Sequence, residues 1–254
     1  MPAAGGFESA FEAFARTIGP NSRLRYAPTP SGYLHEGNLL NFKLNYQASR
    51  FANPPARLLL RIDDLDAARA RPDYIQNIFD TLRAQELVWD EGPVDAADFQ
   101  ENWSQLHRLP LYHNLLALLR RKGLLYACAK SRRELELFGG VPPEHFRQQK
   151  LDLDAPDVAW RVRTPPGFPM PDFVVRRRDG VPAYQVATIA DDLHFGVTHV
   201  IRGADLEPST QAQKWLAEAA GLGAFAGIQF LHHPLVMGTD GRKLSKSSIN
   251  NDER

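Results

Sequence analysis

Two short stretches of the sequence carry side chains suited to binding phosphate groups. The first, PTPSGYLHEGN at residues 28–38, follows the strand-like residues 24–27 and precedes a helical pattern. It therefore puts His35, Gly37 and Asn38 at the N-terminus of a helix. Backbone N–H groups there bind anions, and glycine lets a ligand approach closely. A histidine at this point can donate a hydrogen bond to a phosphate oxygen, although it can equally act as a helix cap or a packing group.

The second stretch is GTDGRKLSKSS at residues 238–248. It places Lys243, Ser245 and Lys246 in a glycine- and serine-rich segment. Lysine carries a point charge on a flexible stem, so two lysines three residues apart could clamp a phosphate chain. Taken alone, the segment is equally compatible with an exposed basic loop. Neither stretch has the glycine pattern of a Walker loop or of a G-x-G-x-x-G turn.

The surrounding pattern predicts the elements that must position these residues. Apolar spacing and helix-breaking residues predict a helix over 7–18, a strand over 24–27, a helix over 39–51, a buried strand over 56–63 and a helix that starts at Pro72. A further helix is predicted within residues 105–125, ending at Gly123. Strands that alternate with helices in this way are typical of an α/β fold with a parallel sheet.

The middle of the chain has a different character, rich in proline and glycine, with short strands and an Asp179-Gly180 turn. We therefore predict an inserted α+β subdomain over 101–182. It would separate a first half of the catalytic domain, 1–100, from a second half, 183–254. The second half is predicted to begin with a strand within residues 183–206, followed by a helix over 209–222 and a strand within 228–236.

Composition limits the class of protein. The chain has 254 residues with 43% hydrophobic and 24% charged residues, as in ordinary globular proteins, and its net charge is zero. Residues 101–178 nevertheless hold 14 Lys and Arg against 8 Asp and Glu, an excess that would suit contact with a polyanion. A single cysteine excludes a disulfide framework and fits a reducing, cytoplasmic setting. We expect no signal peptide and no membrane segment.

Four blocks together resemble the glutamyl/glutaminyl branch of the class I aminoacyl-tRNA synthetases. They are RLRYAPTPSGYLHEGN, LLLRIDDLD, DFVVRRRDGVPAYQVATIADDLHFGVTHVIRGADL and HHPLVMGTDGRKLSKS, and they follow the family's order from about Arg23 to Ser247. LHEGN and KLSKS are similar to the family's HIGH and KMSKS signatures. The resemblance implies a Rossmann-like catalytic domain that joins an amino acid to ATP, with Mg²⁺, and releases pyrophosphate.

The resemblance also implies site residues. For ATP these are Pro28, Thr29, His35, Gly37, Asn38, Lys243, Ser245 and Lys246. For the amino acid they are Arg25, Ala27, Thr29, Asp63, Tyr184 and Arg202. His35, Lys243 and Lys246 are the expected catalytic residues, which stabilise charge in the transition state. Arg25 and Arg202 would read the side-chain carboxylate of glutamate, since a planar guanidinium matches a carboxylate; either could instead form a structural ion pair.

One departure bears on the amino acid. Glutamate enzymes of this family usually have glutamate in the strand motif, where its carboxylate holds the substrate ammonium, whereas this chain has Asp63, a side chain shorter by about 1.5 Å. The glutaminyl branch has aspartate there. The other blocks are more similar to the bacterial glutamate enzymes, so glutamate is the expected substrate and glutamine the alternative.

The sequence ends seven residues after Ser247, and no anticodon-binding domain is expected. In this respect the chain resembles the short bacterial paralogs that transfer glutamate to the queuosine base of tRNA(Asp), whose anticodon loop enters the active site. We expect that RNA as partner, no membrane, and a monomer. Two alternatives stay open: a paralog that charges another acceptor, and a catalytically silent regulator that binds nucleotide or tRNA.

The paralogs commonly hold zinc in the insertion through cysteines and a tyrosine. The corresponding positions here are Tyr126, Cys128, Pro142 and Phe146. One thiolate is too few for a closed tetrahedral site, so zinc is expected to be absent. Apolar packing by Tyr126 and Phe146 would take its place.

Overall fold

The computed structural model describes residues 4–147 and 150–236. Its strands are β1 (Arg23–Tyr26), β2 (Arg57–Leu60), β3 (Leu125–Cys128), β4 (Ala159–Val162), β5 (Val174–Arg176), β6 (His199–Gly203) and β7 (Gln229–His233). Its helices are α1 (Ala4–Ala15), α2 (Glu36–Phe51), α3 (Pro72–Ala84), α4 (Ala96–Asp98), α5 (Leu109–Arg121), α6 (Arg132–Glu136), α7 (Glu144–Arg147), α8 (Tyr184–His194), α9 (Glu207–Ala220) and α10 (Gly223–Ala226). A π-helical turn spans Phe99–Trp103, and 3-10 turns span Gln105–Arg108 and Ala204–Leu206.

The chain divides into two compact units. The first contains residues 4–107, 195–207 and 227–236 of the described chain, and the second contains 108–147, 150–194 and 208–226. Residues 183–194 and 208–226, which the sequence analysis assigned to the second half of the catalytic domain, belong to the second unit. Among the described residues, no helix is both long enough and apolar enough to cross a membrane.

The first unit has the predicted parallel α/β arrangement. β1 pairs in parallel with β2, and β6 pairs in parallel with β7. The backbone N–H of Thr198 donates to the Arg23 carbonyl at 3.0 Å, which sets β6 beside β1. The buried core includes Leu24, Tyr26, Phe42, Leu58, Leu60, Ile62, Ile75, Ile78, Phe79, Leu82 and Ile201. The stripe predicted for the helix that begins at Pro72 is confirmed, because α3 buries Ile75, Ile78, Phe79 and Leu82.

The second unit is α+β. β3, β4 and β5 form an antiparallel sheet, and the predicted turn after β5 is present, with Gly180 at φ +87°. Helix α5 is fixed to α8 by the buried Asp191 carboxylate. It accepts from Arg108 Nε at 2.8 Å and from the Tyr112 hydroxyl at 2.9 Å.

The strand predicted to begin after residue 183 was only partly right. Residues 184–194 form α8, and the strand β6 starts at His199. Helix α8 buries consecutive residues from Gln185 to Ile189, as well as Asp191 and Asp192. A helix buried over most of its circumference has lost the 3.6-residue alternation that distinguishes a helix from a buried strand in a sequence.

Candidate active site

The N-terminus of α2 is capped by its own side chains. His35 is extended (φ −127°, ψ 172°), and its ring Nδ1 accepts the N–H of Gly37 at 3.1 Å. The side-chain oxygen of Asn38 accepts the His35 N–H at 3.1 Å. The two hydrogen bonds run in opposite directions across the first turn, as in a capping box. Three residues that the sequence associated with phosphate binding therefore form one local structure.

The capping bond also defines the tautomer of His35. Because Nδ1 accepts a hydrogen bond, the neutral ring carries its proton on Nε2, and that N–H is a donor on the opposite side of the ring. Gly37 permits this arrangement, since a Cβ there would lie 3.0 Å from His35 Cε1 and 3.1 Å from Nδ1. The identity of residue 37 thus controls the position of the histidine.

The loop after β1 is tied to the residues after β2. The Arg61 N–H donates to the Tyr26 carbonyl at 3.0 Å, and the Asp63 N–H donates to the Pro28 carbonyl at 2.9 Å. The parallel pairing of β1 and β2 thus continues beyond both strands. As a result Ala27, Pro28 and Thr29, expected to contact ATP and the amino acid, lie beside Asp63.

Asp63 forms a buried ion pair. Its two oxygens accept from Arg61 Nε at 2.7 Å and from a terminal Arg61 nitrogen at 3.0 Å. The two residues are only 7% and 2% exposed. Sequence reasoning did not anticipate this partner, although residues i and i+2 of an extended segment share a face, which was a usable signal.

The next residue, Asp64, was also missed. It is buried and accepts from Ser104 Oγ at 2.5 Å and from the Gln105 N–H at 2.8 Å. The Gln105 side chain in turn accepts the Leu65 N–H at 2.9 Å. These bonds span about 40 residues of sequence, so local patterns could not reveal them. They hold the segment that follows β2 against residues 104 and 105 of the same unit.

The two arginines predicted to read a carboxylate are both in the first unit and both buried. Arg25 on β1 and Arg202 on β6 are each 4% exposed. Arg202 lies over the ring of Phe230, 4.9 Å from its centroid. Guanidinium groups match carboxylates geometrically, so both side chains are suited to contact an anion.

Helix α2 is bound directly to the strand that carries Arg202. The side-chain nitrogens of Asn41 and Asn45 donate to the Ile201 carbonyl at 2.9 and 3.2 Å. Ile201 precedes Arg202, and Asn41 lies six residues after His35. The histidine cap and the buried arginine are therefore fixed to the same two elements.

The histidine pair at the end of β7 was not among the predicted site residues. His232 pairs in register with Arg202, and its ring is nearly parallel to that of Phe230, at 9° and 6.5 Å. Burial lowers the pKa of His232, and the positive charge of Arg202 lowers it further. The two adjacent histidines of HHPL, within the segment predicted to hold the last strand, were the sequence signal that could have indicated them.

The remaining predicted site residues do not belong to the described part of the first unit. Tyr184 is the first residue of α8 in the second unit and is 41% exposed. Lys243, Ser245 and Lys246 lie outside the described residues.

The positions aligned with zinc ligands hold other contacts. Cys128 is 1% exposed, and the Tyr126 hydroxyl donates to Asp172 at 2.7 Å. Asp172 also accepts from two nitrogens of Arg147, at 2.7 and 2.6 Å. Burial, together with Asp172, raises the pKa of Tyr126 well above its usual value. Within the described residues no group of three or more His, Cys, Asp or Glu could hold a metal ion.

The apolar side of the same region is packed. Phe146 is 6% exposed and meets Phe138 edge-on at a centroid distance of 5.5 Å. Pro142 is buried as well. Aromatic pairs of this kind stabilise a core beyond their buried area.

The basic residues at the end of β5 and directly after it have local partners. Arg176 lies over the ring of Trp160 at 4.9 Å from its centroid. Arg177 pairs with Asp179 at 2.7 Å, and the Arg178 pair with Asp157 measures 3.5 Å. All three are at least partly exposed.

Known proteins match this chain over most of its length. Residues 21–140 and 147–252 match the family model of the class I tRNA synthetase catalytic domain, E and Q. A glutamyl-Q tRNA(Asp) synthetase of Pseudomonas aeruginosa is 39% identical over 238 residues, which cover 88% of this chain and 76% of that protein. One from Synechococcus is 40% identical over 242 residues, with 91% and 76% covered.

Solved structures show the same fold. The glutamate-tRNA synthetase of Elizabethkingia anophelis superposes with a TM-score of 0.70 at 25% identity and covers 91% of this chain. The chain spans about half of that structure, 54% of its length.

Proposed function

The chain belongs to the class I tRNA synthetases, E and Q, and on this premise we propose that it activates glutamate with ATP and transfers it to the queuosine base of tRNA(Asp). In the first step, a carboxylate oxygen of glutamate attacks the α-phosphorus of ATP. A new C–O–P linkage forms, pyrophosphate leaves, and the product is glutamyl-adenylate. In the second step, a nucleophilic group of the acceptor attacks the acyl carbon and AMP leaves.

No enzyme nucleophile takes part in this chemistry, so the protein acts through positioning and charge. We assign ATP to the N-terminus of α2, where Nε2 of His35 is the donor toward a phosphate oxygen and Asn38 holds the cap. Pro28 and Thr29 complete that side. Lys243 and Lys246 would stabilise the negative charge as it moves to pyrophosphate.

Glutamate is assigned to the buried guanidinium groups of Arg25 and Arg202. Asp63, whose backbone is bonded to the Pro28 carbonyl, would hold the substrate ammonium. The observation that carries the proposal is the pair of buried arginines on β1 and β6. They belong to the same unit as His35, which caps α2. A dicarboxylic amino acid supplies the anion that such cations favour. Tyr184 remains a proposed lining residue.

Pyrophosphate–ATP exchange without tRNA tests the activation step. We expect exchange with glutamate in the presence of Mg²⁺. If only glutamine supports exchange, the chain belongs to the glutaminyl branch, which also has aspartate at the position of Asp63. If no amino acid supports exchange, the result favours the catalytically silent regulator.

Transfer is tested separately, with labelled glutamate and tRNA(Asp) with or without queuosine. We expect label only on the modified tRNA. Transfer that ignores the modification, or that goes to the 3′ end of tRNA(Glu), would refute the acceptor and leave activation intact.

A further inference from the structure

His233 is a buried residue at the junction of three elements. It is the last residue of β7 and is 3% exposed. It pairs in register with Gly203, the residue after Arg202. Pro234 follows and begins the segment that leads to Lys243 and Lys246. None of the expected roles above includes this histidine.

Both ring nitrogens of His233 have a defined partner. Nδ1 lies 2.9 Å from the Pro234 carbonyl oxygen, and Nε2 lies 3.2 Å from Nδ2 of Asn41. A carbonyl oxygen only accepts, so Nδ1 must carry the proton. Asn41 Nδ2 also lies 2.9 Å from the Ile201 carbonyl oxygen, which fixes that end of the amide as the donor. Nε2 is therefore the acceptor, and the ring is neutral.

These bonds join parts of the chain that the proposed function uses together. Asn41 belongs to α2, which His35 caps, and Ile201 immediately precedes Arg202. The Pro234 carbonyl opens the segment that ends in the two lysines. One imidazole thus contacts the helix assigned to ATP and the start of the segment after β7, while its partner Asn41 also binds the strand assigned to glutamate.

We infer that His233 is a positioning residue, whose neutral Nδ1–H ring sets the start of the lysine-bearing segment relative to α2 and β6. The inference rests on the proposed function. Burial lowers the pKa of His233, which favours the neutral ring, while the Pro234 bond and the charge of Asp205 oppose this shift. His233 contacts no reacting atom and acts through its partners.

The test uses pyrophosphate–ATP exchange by the full chain with three variants. His233→Phe keeps the ring volume and removes both hydrogen bonds, and His233→Gln can still accept from Asn41. His113→Gln makes the same change at an exposed histidine of α5. A misplacement of about 1 Å can cost on the order of 10²-fold in rate. We therefore expect kcat to fall at least tenfold in His233→Phe, to recover partly in His233→Gln, and to stay unchanged in His113→Gln.

A double-mutant cycle with Asn41→Ala separates positioning from general stability. If His233 acts through Asn41, the double variant should be no slower than the slower single variant. Full additivity in kcat would overturn the inference, as would a His233→Phe protein that melts earlier but keeps the original kcat and KM.

Nitrogen-15 spectra of the histidine rings give a readout independent of activity. The signal that disappears in His233→Gln should show protonated Nδ1 and unprotonated Nε2 at neutral pH. The opposite tautomer or a charged ring would overturn the inference. Failure of the proposed function is recognised differently, because then the unsubstituted chain and His113→Gln would both show no exchange.

Discussion

The ring of His35 lies against the backbone of Gly37, with Nδ1 accepting the Gly37 N–H at 3.1 Å. A methyl group on residue 37 would lie 3.0 Å from Cε1 of the ring, so the histidine would have to move. Elsewhere in a helix the same change is favourable by at most about 1 kcal/mol. At position 37, alanine would thus favour the helix but would displace the His35 ring.

Gly37→Ala should therefore lower kcat of pyrophosphate exchange without lowering the free energy of unfolding. Gly6→Ala in α1 is the matched control, because no atom lies within 4 Å of its added Cβ. Stability comes from chemical denaturation and rates from exchange assays. Full activity in Gly37→Ala would mean that the ring position observed here is not the one that acts on ATP.

Asp63→Asn should destabilise the first unit because it leaves the Arg61 charge buried without its carboxylate. Breaking a buried pair by changing one partner typically costs about 3–5 kcal/mol. Asp73→Asn is the comparison, since its pair with Arg71 is 50–60% exposed and should contribute little. Denaturant titration measures both. Equal effects would show that the Arg61–Asp63 pair is not structurally important.

Lys246→Ala tests the segment that lies outside the described residues. Its charge should matter most as negative charge builds on the leaving pyrophosphate. Loss of one preorganised donor typically costs about 3 kcal/mol, or on the order of 10²-fold in kcat. We expect a much smaller change in KM for glutamate. The reverse pattern, a raised KM with normal kcat, would make Lys246 a binding residue only.

The insertion should fold without zinc. Tyr126 donates to Asp172, Arg147 pairs with the same carboxylate, and Phe146 packs against Phe138. Elemental analysis should find no stoichiometric zinc, and a chelator should leave the melting temperature unchanged. About one zinc per chain, or a chelator-induced fall in stability, would show that other residues replaced the ligands.

The sequence predicted those parts of the fold that depend on local periodicity. The buried run around Leu58 and Leu60 predicted β2, and Pro72 marked the start of α3. It failed at α8, where Gln185 to Ile189 are buried in succession and the helical period disappears. The site shows the same division. Residues 35, 37 and 38 form a local cap, whereas the bonds of Asp64 to Ser104 and of Asn41 to His233 join residues distant in sequence. Such pairings depend on how the strands and helices assemble.

Arg176, the last residue of β5, and Arg177, which follows it, provide a test of the acceptor. Residues 101–178 carry six more basic than acidic residues, and RNA contacts of such residues weaken with salt through counterion release. The double variant Arg176→Glu, Arg177→Glu should reduce transfer of glutamate to RNA and flatten its salt dependence. Exchange without tRNA should be spared, because the residues assigned to ATP and glutamate are different ones.

Local structure offers a competing explanation, since Arg177 pairs with Asp179 and Arg176 lies over Trp160. Arg16→Glu, Arg50→Glu is the matched control, because each of these arginines also has an acidic partner, Glu12 and Asp90. Melting temperatures of both double variants should be compared before transfer is measured. If both variants lose transfer equally, or if the first loses exchange as well, Arg176 and Arg177 support the fold and do not guide RNA.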